Sequence, residues 1–223
     1  MATDDLQITT VVSDLFSENA YIARLAGRSE CLVFDPGLEP DRIVAYLDQQ
    51  QLTLAAILCT HGHSDHIAGN ALLKTRWPNS VLVIGTGDAA KLTDPELNLS
   101  AAFGFSVTSP PADRLVGDGD TYAAAGLALE VRELPGHSVG HVVFLTQGAQ
   151  PIRVFAGDVL FQGSIGRTDF ADGSFPTLAR AIHQKLFTLP DDTIILPGHG
   201  PPTTVGAEKR CNPFVGAPSG YRG

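Results

Sequence analysis

The sequence reads Thr60-His61-Gly62-His63-Ser64-Asp65-His66 directly after a short apolar run, Ala55–Cys59. The run predicts a strand buried on both faces, and the histidines begin where that strand ends. Two histidines separated by one glycine can converge on one cation, since glycine lets the chain turn sharply. Asp65 and His66 follow one turn later and can face a second cation. Imidazole and carboxylate ligands together suit Zn²⁺, Fe²⁺ or Mn²⁺.

Three further candidate ligands each follow a glycine at the end of a later apolar run. They are His137 in Pro135-Gly136-His137-Ser138, Asp158 in Ala156-Gly157-Asp158 and His199 in Pro197-Gly198-His199-Gly200. Open sheets place their sites at the carboxyl ends of strands. Any one of these residues alone is more often a turn residue than a ligand. Together with the first cluster they predict a site for two metal ions.

Apolar runs of strand length alternate with amphipathic segments along the chain, which predicts mixed strands with helices outside. The predicted strands are Ile8–Val12, Ala20–Leu25, Cys31–Phe34, Ala55–Cys59, Val81–Ile84, Leu127–Leu134, His141–Leu145, Ile152–Phe155 and Thr193–Leu196. The predicted helices are Asp41–Gln51, Asn70–Trp77 and Thr177–Leu186. We expect the charge-poor segment Ser100–Pro111 to be a loop that borders a site.

Length and composition restrict the classes of partner. The 223 residues fit one domain, 1–223, in which we expect residues 200–223 to form a tail that wraps the surface. A formal net charge of −9 gives no basic footprint for nucleic acid. No apolar run approaches the ~20 residues of a membrane span, and the start of the chain lacks a secretory signal. Three widely spaced cysteines do not form a disulfide pattern, so we expect a cytoplasmic protein.

The spacing His-x-His-x-Asp-His, followed by Gly-His, Gly-Asp and Gly-His, resembles the metallo-β-lactamase-fold hydrolase superfamily. Within it, the segments Gly157–Phe161, Gly166–Phe170 and Pro197–Pro201 look like those of the glyoxalase II-like thioesterases in their compact, single-domain form. The resemblance covers nearly the whole chain. It implies an α+β fold, the αββα sandwich of the superfamily, in which two mixed β-sheets pack face to face with helices outside.

The resemblance also implies a ligand set and a reaction. The first metal would take His61, His63 and His137, the second Asp65, His66 and His199, and Asp158 would bridge them. We expect two divalent ions, zinc first, with iron or manganese also open. Asp65 and Asp158 would serve catalysis, because a hydroxide held between the metals would attack the carbonyl of a small-molecule thioester such as S-lactoylglutathione. The oligomeric state stays open.

Arg167 is the candidate substrate-binding residue. The resemblance places it where glyoxalase II enzymes have a lysine that contacts the glycine carboxylate of glutathione, and an arginine can grip a carboxylate with two hydrogen bonds. The alternative is a loop arginine paired with Asp169 or Asp172. Longer relatives carry a tyrosine where Asp169 stands, together with a C-terminal helical domain, so glutathione as the thiol carrier stays open.

Three other residues carry weaker signals. Asp35 ends an apolar strand, where it would either accept an imidazole N–H from a ligand or simply form the turn before Pro36-Gly37. We expect His141, four residues after His137, to be a packed or supporting histidine and not a ligand. His183, between Arg180 and Lys185 in a predicted helix, is expected to be an ordinary surface or packed residue.

Two other functions remain open at this point. The segment Gly166–Phe170 is shared with persulfide dioxygenases, which use one iron, so a mononuclear iron enzyme that acts on glutathione persulfide is one alternative. The other is a non-catalytic protein that keeps a metal for structure or sensing. Structural zinc sites are usually closed by four ligands that are often thiolates, and the seven nitrogen and oxygen candidates here argue against that function.

Overall fold

Two six-stranded sheets form the centre of the fold in a computed structural model that describes residues 5–220. In neighbour order, the first sheet contains β1 (Leu6–Val12), β2 (Asn19–Leu25), β3 (Glu30–Phe34), β4 (Thr53–Cys59), β5 (Val81–Gly85) and β6 (Arg114–Val116). In neighbour order, the second contains β14 (Thr203–Thr204), β13 (Ile194–Pro197), β10 (Arg153–Gly157), β9 (Val142–Thr146), β8 (Leu127–Glu133) and β7 (Thr121–Ala124). A separate two-stranded ribbon pairs β11 (Leu160–Phe161) with β12 (Ser164–Ile165).

Both sheets are mixed. In the first, β1, β2 and β3 are antiparallel and the remaining neighbours are parallel. In the second, β10 and β13 run parallel, while the other pairs are antiparallel. The parallel pairs β3–β4 and β10–β13 bring strand ends from both sheets to one edge of the fold, where the candidate ligands follow.

Helices cover the outer face of each sheet. They are α1 (Pro40–Gln49), α2 (Ser64–Ile67), α3 (Asn70–Arg76), α4 (Phe175–Ala181) and α5 (Val205–Cys211). Ile43 and Leu47 of α1 and Leu73 of α3 pack on the first sheet. Leu178 of α4 and Val205 of α5 pack on the second. The order helix, sheet, sheet, helix confirms the predicted αββα sandwich of an α+β metallo-β-lactamase fold.

Alternation along each strand divides the core into layers. In β3, Leu32 and Phe34 face the space between the sheets, while Cys31 and Val33 face the helices. Phe34 stacks on Phe155 of the second sheet, with ring centroids 3.6 Å apart. Because both faces of such a strand are covered, its sequence is apolar throughout, as the short runs predicted.

The observed elements depart from the predicted ones in places. The helix predicted over Thr177–Leu186 begins at Phe175, and its last part, Ile182–Leu186, is a π-helical turn. Residues after Gly200 have more regular structure than the expected surface-wrapping tail, because β14 joins the second sheet and Val215 is buried in its core. Short 3₁₀ helices occur at Thr86–Leu92, Ala101–Phe103 and Ala217–Ser219.

Two further findings bear on the predicted environment. The three cysteines are free, with Cys31 and Cys59 buried and Cys211 exposed. Among residues 5–220, no helix is both long and apolar enough to cross a bilayer.

Candidate metal centre

The candidate ligands lie in loops that follow four strands. His61 and His63 follow β4, His137 follows β8, and His199 follows β13. Asp158 comes directly after β10. The structure brings all seven predicted ligands together in three overlapping groups, and within each group the candidate ligand atoms lie within 4.8 Å of one another. The groups are His61, His63 and His137; His61, His66 and Asp158; and Asp65, His66 and His199.

Asp158 lies between the two histidine-rich groups. Its Oδ2 is 3.6 Å from His137 Nε2 and 3.6 Å from His199 Nε2. Its Oδ1 is 3.5 Å from His66 Nε2. A single carboxylate thus faces the first group through one histidine and the second group through two. This is the position that a bridging carboxylate requires.

The donor set fits metal ions because its buried ligand atoms have no other partner. His61 Nε2, His66 Nε2 and Asp158 Oδ1 are all inaccessible and make no hydrogen bond to protein. Leaving a buried polar group unpaired costs about 1–3 kcal/mol, so such atoms are rare outside functional sites. Three of them at one centre, all of ligand type, indicate that divalent cations satisfy them.

Backbone carbonyls fix the orientation of two histidine rings. His137 donates its Nδ1–H to the carbonyl oxygen of Arg167 at 2.8 Å. His199 donates its Nδ1–H to the carbonyl oxygen of Phe16 at 3.1 Å. Both rings therefore present an unprotonated Nε2 to the centre, which is the tautomer that a metal ligand needs.

Asp35 supports two ligands from below. With φ at 46°, it directs one carboxylate oxygen at the backbone N–H of Thr60, 2.7 Å away. The other oxygen accepts the Thr60 hydroxyl at 2.7 Å and lies 3.2 Å from His66 Nδ1. Thr60 Oγ1 in turn lies 3.1 Å from His61 Nδ1. Of the two roles left open for Asp35, the structure shows the one that accepts an imidazole N–H.

The electrostatics of the two groups differ. Burial lowers the pKa of His61 well below its usual range, and burial with neighbouring His137 lowers the pKa of His63 to about 2. Both rings are therefore neutral, as metal binding requires. Burial also lowers the pKa of His66, but the carboxylates of Asp65 and Asp158 outweigh it and raise the pKa well above its usual range. The second group thus has a negative potential that a divalent cation would neutralise.

Comparison with known proteins agrees with this geometry. The model of the metallo-beta-lactamase superfamily matches residues 13–199. The chain belongs to the metallo-β-lactamase superfamily. The match spans the loops of all seven candidate ligands, and it confirms the resemblance seen in the sequence.

Two curated members of the superfamily are similar over most of their length. A probable metallo-hydrolase, YqgX of Bacillus subtilis (strain 168), is 43% identical over 199 residues, which cover 88% of this chain and 92% of that protein. The hydroxyacylglutathione hydrolase GloC of Haemophilus influenzae (strain ATCC 51907 / DSM 11121 / KW20 / Rd) is 38% identical over 194 residues, 84% and 88% of the two chains. This chain is accordingly a metallo-hydrolase of the superfamily.

Solved structures show the same fold. The crystal structure of the BLEG-1 B3 metallo-beta-lactamase matches with a TM-score of 0.89 and 36% identity, covering 94% of this chain and 99% of that one. TTHA1623 in a di-iron-bound form matches with a TM-score of 0.80 and 35% identity, covering 92% and 99%. The second of these shows that a superfamily member similar to this chain holds two metal ions.

His141 and His183 have the supporting or packed roles expected of them. His141 is fully buried and stacks on His61, with ring centroids 4.7 Å apart. Its Nε2 accepts the backbone N–H of Asp158 at 3.1 Å, so it holds the carboxylate that faces both groups. His183 lies away from the centre and donates its Nε2–H to the carbonyl oxygen of Val215 at 2.8 Å.

Two glycines of the superfamily loops are needed for space. Gly62 does not have the positive φ that a sharp left-handed turn would use, so our turn argument for it was wrong. A Cβ at Gly62 would instead lie 2.5 Å from Lys91 Cβ. A Cβ at Gly198 would lie 2.2 Å from Asp158 Oδ1 and 2.7 Å from His66 Cε1. Any side chain at position 198 would therefore occupy the metal centre itself.

Asp88 is a supporting residue that the sequence did not reveal. It is fully buried, and its Oδ2 accepts the backbone N–H of Gly62 at 2.8 Å and the hydroxyl of Ser138 at 2.5 Å. Its Oδ1 accepts the backbone N–H of Gly140 at 2.8 Å and lies 3.6 Å from Lys91 Nζ. One carboxylate thus ties the loop of His61 and His63 to the loop of His137. A signal was present only in that Asp88 follows Thr86-Gly87 after an apolar run.

Arg167 lies at the edge of the cavity above the centre. Its Nε and Nη2 donate to the two carboxylate oxygens of Asp169 at 2.7 and 2.8 Å, and its guanidinium lies 4.5 Å from the ring centroid of Phe170. Of the two contacts left open for Arg167, the structure therefore shows the ion pair with Asp169. Leu99 and Phe103 of the expected border loop line the same cavity, so that expectation is confirmed.

Proposed function

We propose that this metallo-hydrolase is a dinuclear enzyme that cleaves thioesters, with S-lactoylglutathione or a related acyl thioester as substrate. The observation that carries the proposal is the position of Asp158, which faces ligand nitrogens of both groups at 3.5–3.6 Å. The similarity to GloC, which is named a hydroxyacylglutathione hydrolase, supports the substrate class.

The residues would divide between two ions. The first set would be His61, His63 and His137, and the second would be Asp65, His66 and His199, with Asp158 shared. These are the groups that the structure places within 4.8 Å. Imidazole and carboxylate donors suit zinc, which we propose as the native metal, and the same donors would also hold iron or manganese.

The side chains support hydrolysis without a separate acid. Two divalent ions at such a centre lower the pKa of a water and polarise a carbonyl. Asp65 and Asp158 place negative charge beside both ion positions, and His141 holds the backbone of Asp158 in place. A thiolate leaving group has a pKa of about 8.5, so it departs without a proton from a side chain.

Two features favour this function over a mononuclear dioxygenase and a non-catalytic metal protein. A single ion would leave the group of Asp65, His66 and His199 without the cation that its carboxylates favour. The centre also opens into a cavity of about 460 Å³, whereas structural metal sites are closed by their ligands. A cavity of this size lies within the range of small-molecule sites, roughly 300–1,000 Å³.

Release of thiol from S-lactoylglutathione and from other acyl thioesters by the purified, metal-loaded chain tests the proposal. Chelation should abolish the release. Asp158→Ala should lower both metal content and turnover on every thioester, while Asp113→Ala, which changes an exposed carboxylate away from the centre, should do neither. Absence of metal-dependent hydrolysis on all thioesters would remove the proposal, and hydrolysis of a β-lactam alone would assign the centre to a different reaction.

A further inference from the structure

The cavity above the proposed metal centre has an apolar wall on two sides. Its floor consists of candidate ligands, and its walls contain four phenylalanines, one leucine and one isoleucine, namely Phe16, Leu99, Phe103, Phe161, Ile165 and Phe170. Phe16 and Phe103 meet edge to face with ring centroids 5.9 Å apart. Phe103 is 53% exposed, so much of its ring is free to cover a substrate.

The charge in this cavity is arranged against an anionic substrate. Apart from candidate ligands, Arg167 is the one charged side chain among the residues that line it. Both of its directed donors are taken by Asp169. This pair is exposed and individually weak. A substrate carboxylate that replaced Asp169 on Arg167 would nevertheless lie beside the displaced aspartate, and like charges at short range repel.

The remaining wall offers uncharged polar groups only. Ser64, Asn98 and Ser164 complete the lining. A glutathione thioester carries two carboxylates, and the described residues of the cavity provide no unpaired cation for either. Apolar groups on both sides of a scissile carbonyl, by contrast, would meet phenylalanine rings on both walls.

From this arrangement we infer that the enzyme selects thioesters in which the acyl group and the adjoining part of the thiol carrier are apolar and uncharged, in preference to glutathione thioesters. The inference rests on the proposed thioester hydrolysis and specifies its substrate class. Each added methylene of the acyl chain that is buried against the walls should raise kcat/KM about fourfold until the cavity is full.

The first test compares thiol carriers that bear the same acyl group. Hexanoyl glutathione and hexanoyl N-acetylcysteamine differ in the charge of the carrier, and kcat/KM is measured for both with the metal-loaded enzyme. The inference predicts that the uncharged carrier gives the higher value, and a higher value for the glutathione thioester overturns it. If neither is hydrolysed, nor any other thioester, the proposed function itself fails, so the two failures are distinguishable.

The second test uses the Arg167–Asp169 pair. Asp169→Asn removes the competing carboxylate and frees the guanidinium, so it should raise kcat/KM for the glutathione thioester relative to the uncharged one. Arg167→Ala should leave the ratio of the two unchanged, because wild-type Arg167 does not bind the substrate. A selective loss on the glutathione thioester in Arg167→Ala would show that this arginine grips a substrate carboxylate, and it would overturn the inference.

The third test uses the apolar wall. Phe103→Ala should reduce kcat/KM for the hexanoyl thioester by tenfold or more and for the acetyl thioester by much less, and Phe103→Leu should restore most of the difference. Phe214 is a matched control, since it is 47% exposed and does not line the cavity. Equal losses on both acyl chains in Phe103→Ala would contradict a binding role for the wall.

Discussion

Asp88→Asn is the substitution that best tests how the fold positions the first group of ligands. The change keeps the shape of the side chain but turns one acceptor oxygen into a donor. The new amide nitrogen must then face either the N–H of Gly140 or the two donors of Gly62 and Ser138, which all lie within 2.8 Å of the carboxylate. At least one hydrogen bond to a buried charged group is lost in either orientation.

The size of the effect follows from those contacts. A hydrogen bond to a charged group contributes about 1.5–3 kcal/mol, which for a chain of this length corresponds to roughly 3–12 °C in Tm. Loss of a group that positions a metal ligand typically lowers metal affinity by roughly 10–100-fold. We therefore expect Asp88→Asn to bind metal at the group of His61, His63 and His137 more weakly than the native chain.

Thermal unfolding and metal titration of the chelated protein measure both effects. Asp113→Asn is the matched control, because Asp113 also accepts a backbone N–H, from Leu82 at 2.8 Å, and a lysine, Lys74 at 2.8 Å, but it is exposed and away from the centre. The argument is refuted if Asp88→Asn changes Tm and metal affinity no more than Asp113→Asn does.

Three other predictions address the centre and its reaction. Asp35→Asn should lower metal affinity at His66 and turnover together, because it weakens the hydrogen bond that orients the ring, and a metal titration that matches the native curve would contradict this. Gly198→Ala should exclude metal or prevent folding, since its Cβ would overlap Asp158, and a fully metallated Gly198→Ala chain would refute the packing argument. Oxygen uptake with glutathione persulfide should be absent, and an oxygen electrode that records substrate-dependent uptake would favour the dioxygenase instead.

The sequence predicted the fold where apolar runs are long. Ala55–Cys59 and Cys31–Phe34 were recognisable because both faces of their strands are covered, and they lie within β4 and β3. Short strands such as β6 and β14 have only two or three residues, so periodicity carries no signal for them. The helix in the C-terminal segment was also missed, since the proline and glycine around it indicated a loop.

The candidate ligands were predictable because glycine and histidine recur at strand ends, whereas their supports were only partly so. Asp35 was recognised as an alternative because it ends an apolar strand. Asp88 was not, since its partners Gly62 and Gly140 are distant in sequence and a lone aspartate after glycine also fits an ordinary turn. The contact of Arg167 with Asp169 was one of two alternatives, and side-chain geometry was needed to distinguish them.

The number of divalent ions bound per chain tests the central claim most directly. The measurement is elemental analysis of the native chain after metal reconstitution and removal of free ions, with Asp158→Ala measured in parallel. The account predicts two ions in the native chain, because the three overlapping ligand groups form two sets joined by Asp158, and fewer in the variant. A native chain that saturates at one ion, with unchanged content in Asp158→Ala, would contradict the dinuclear centre.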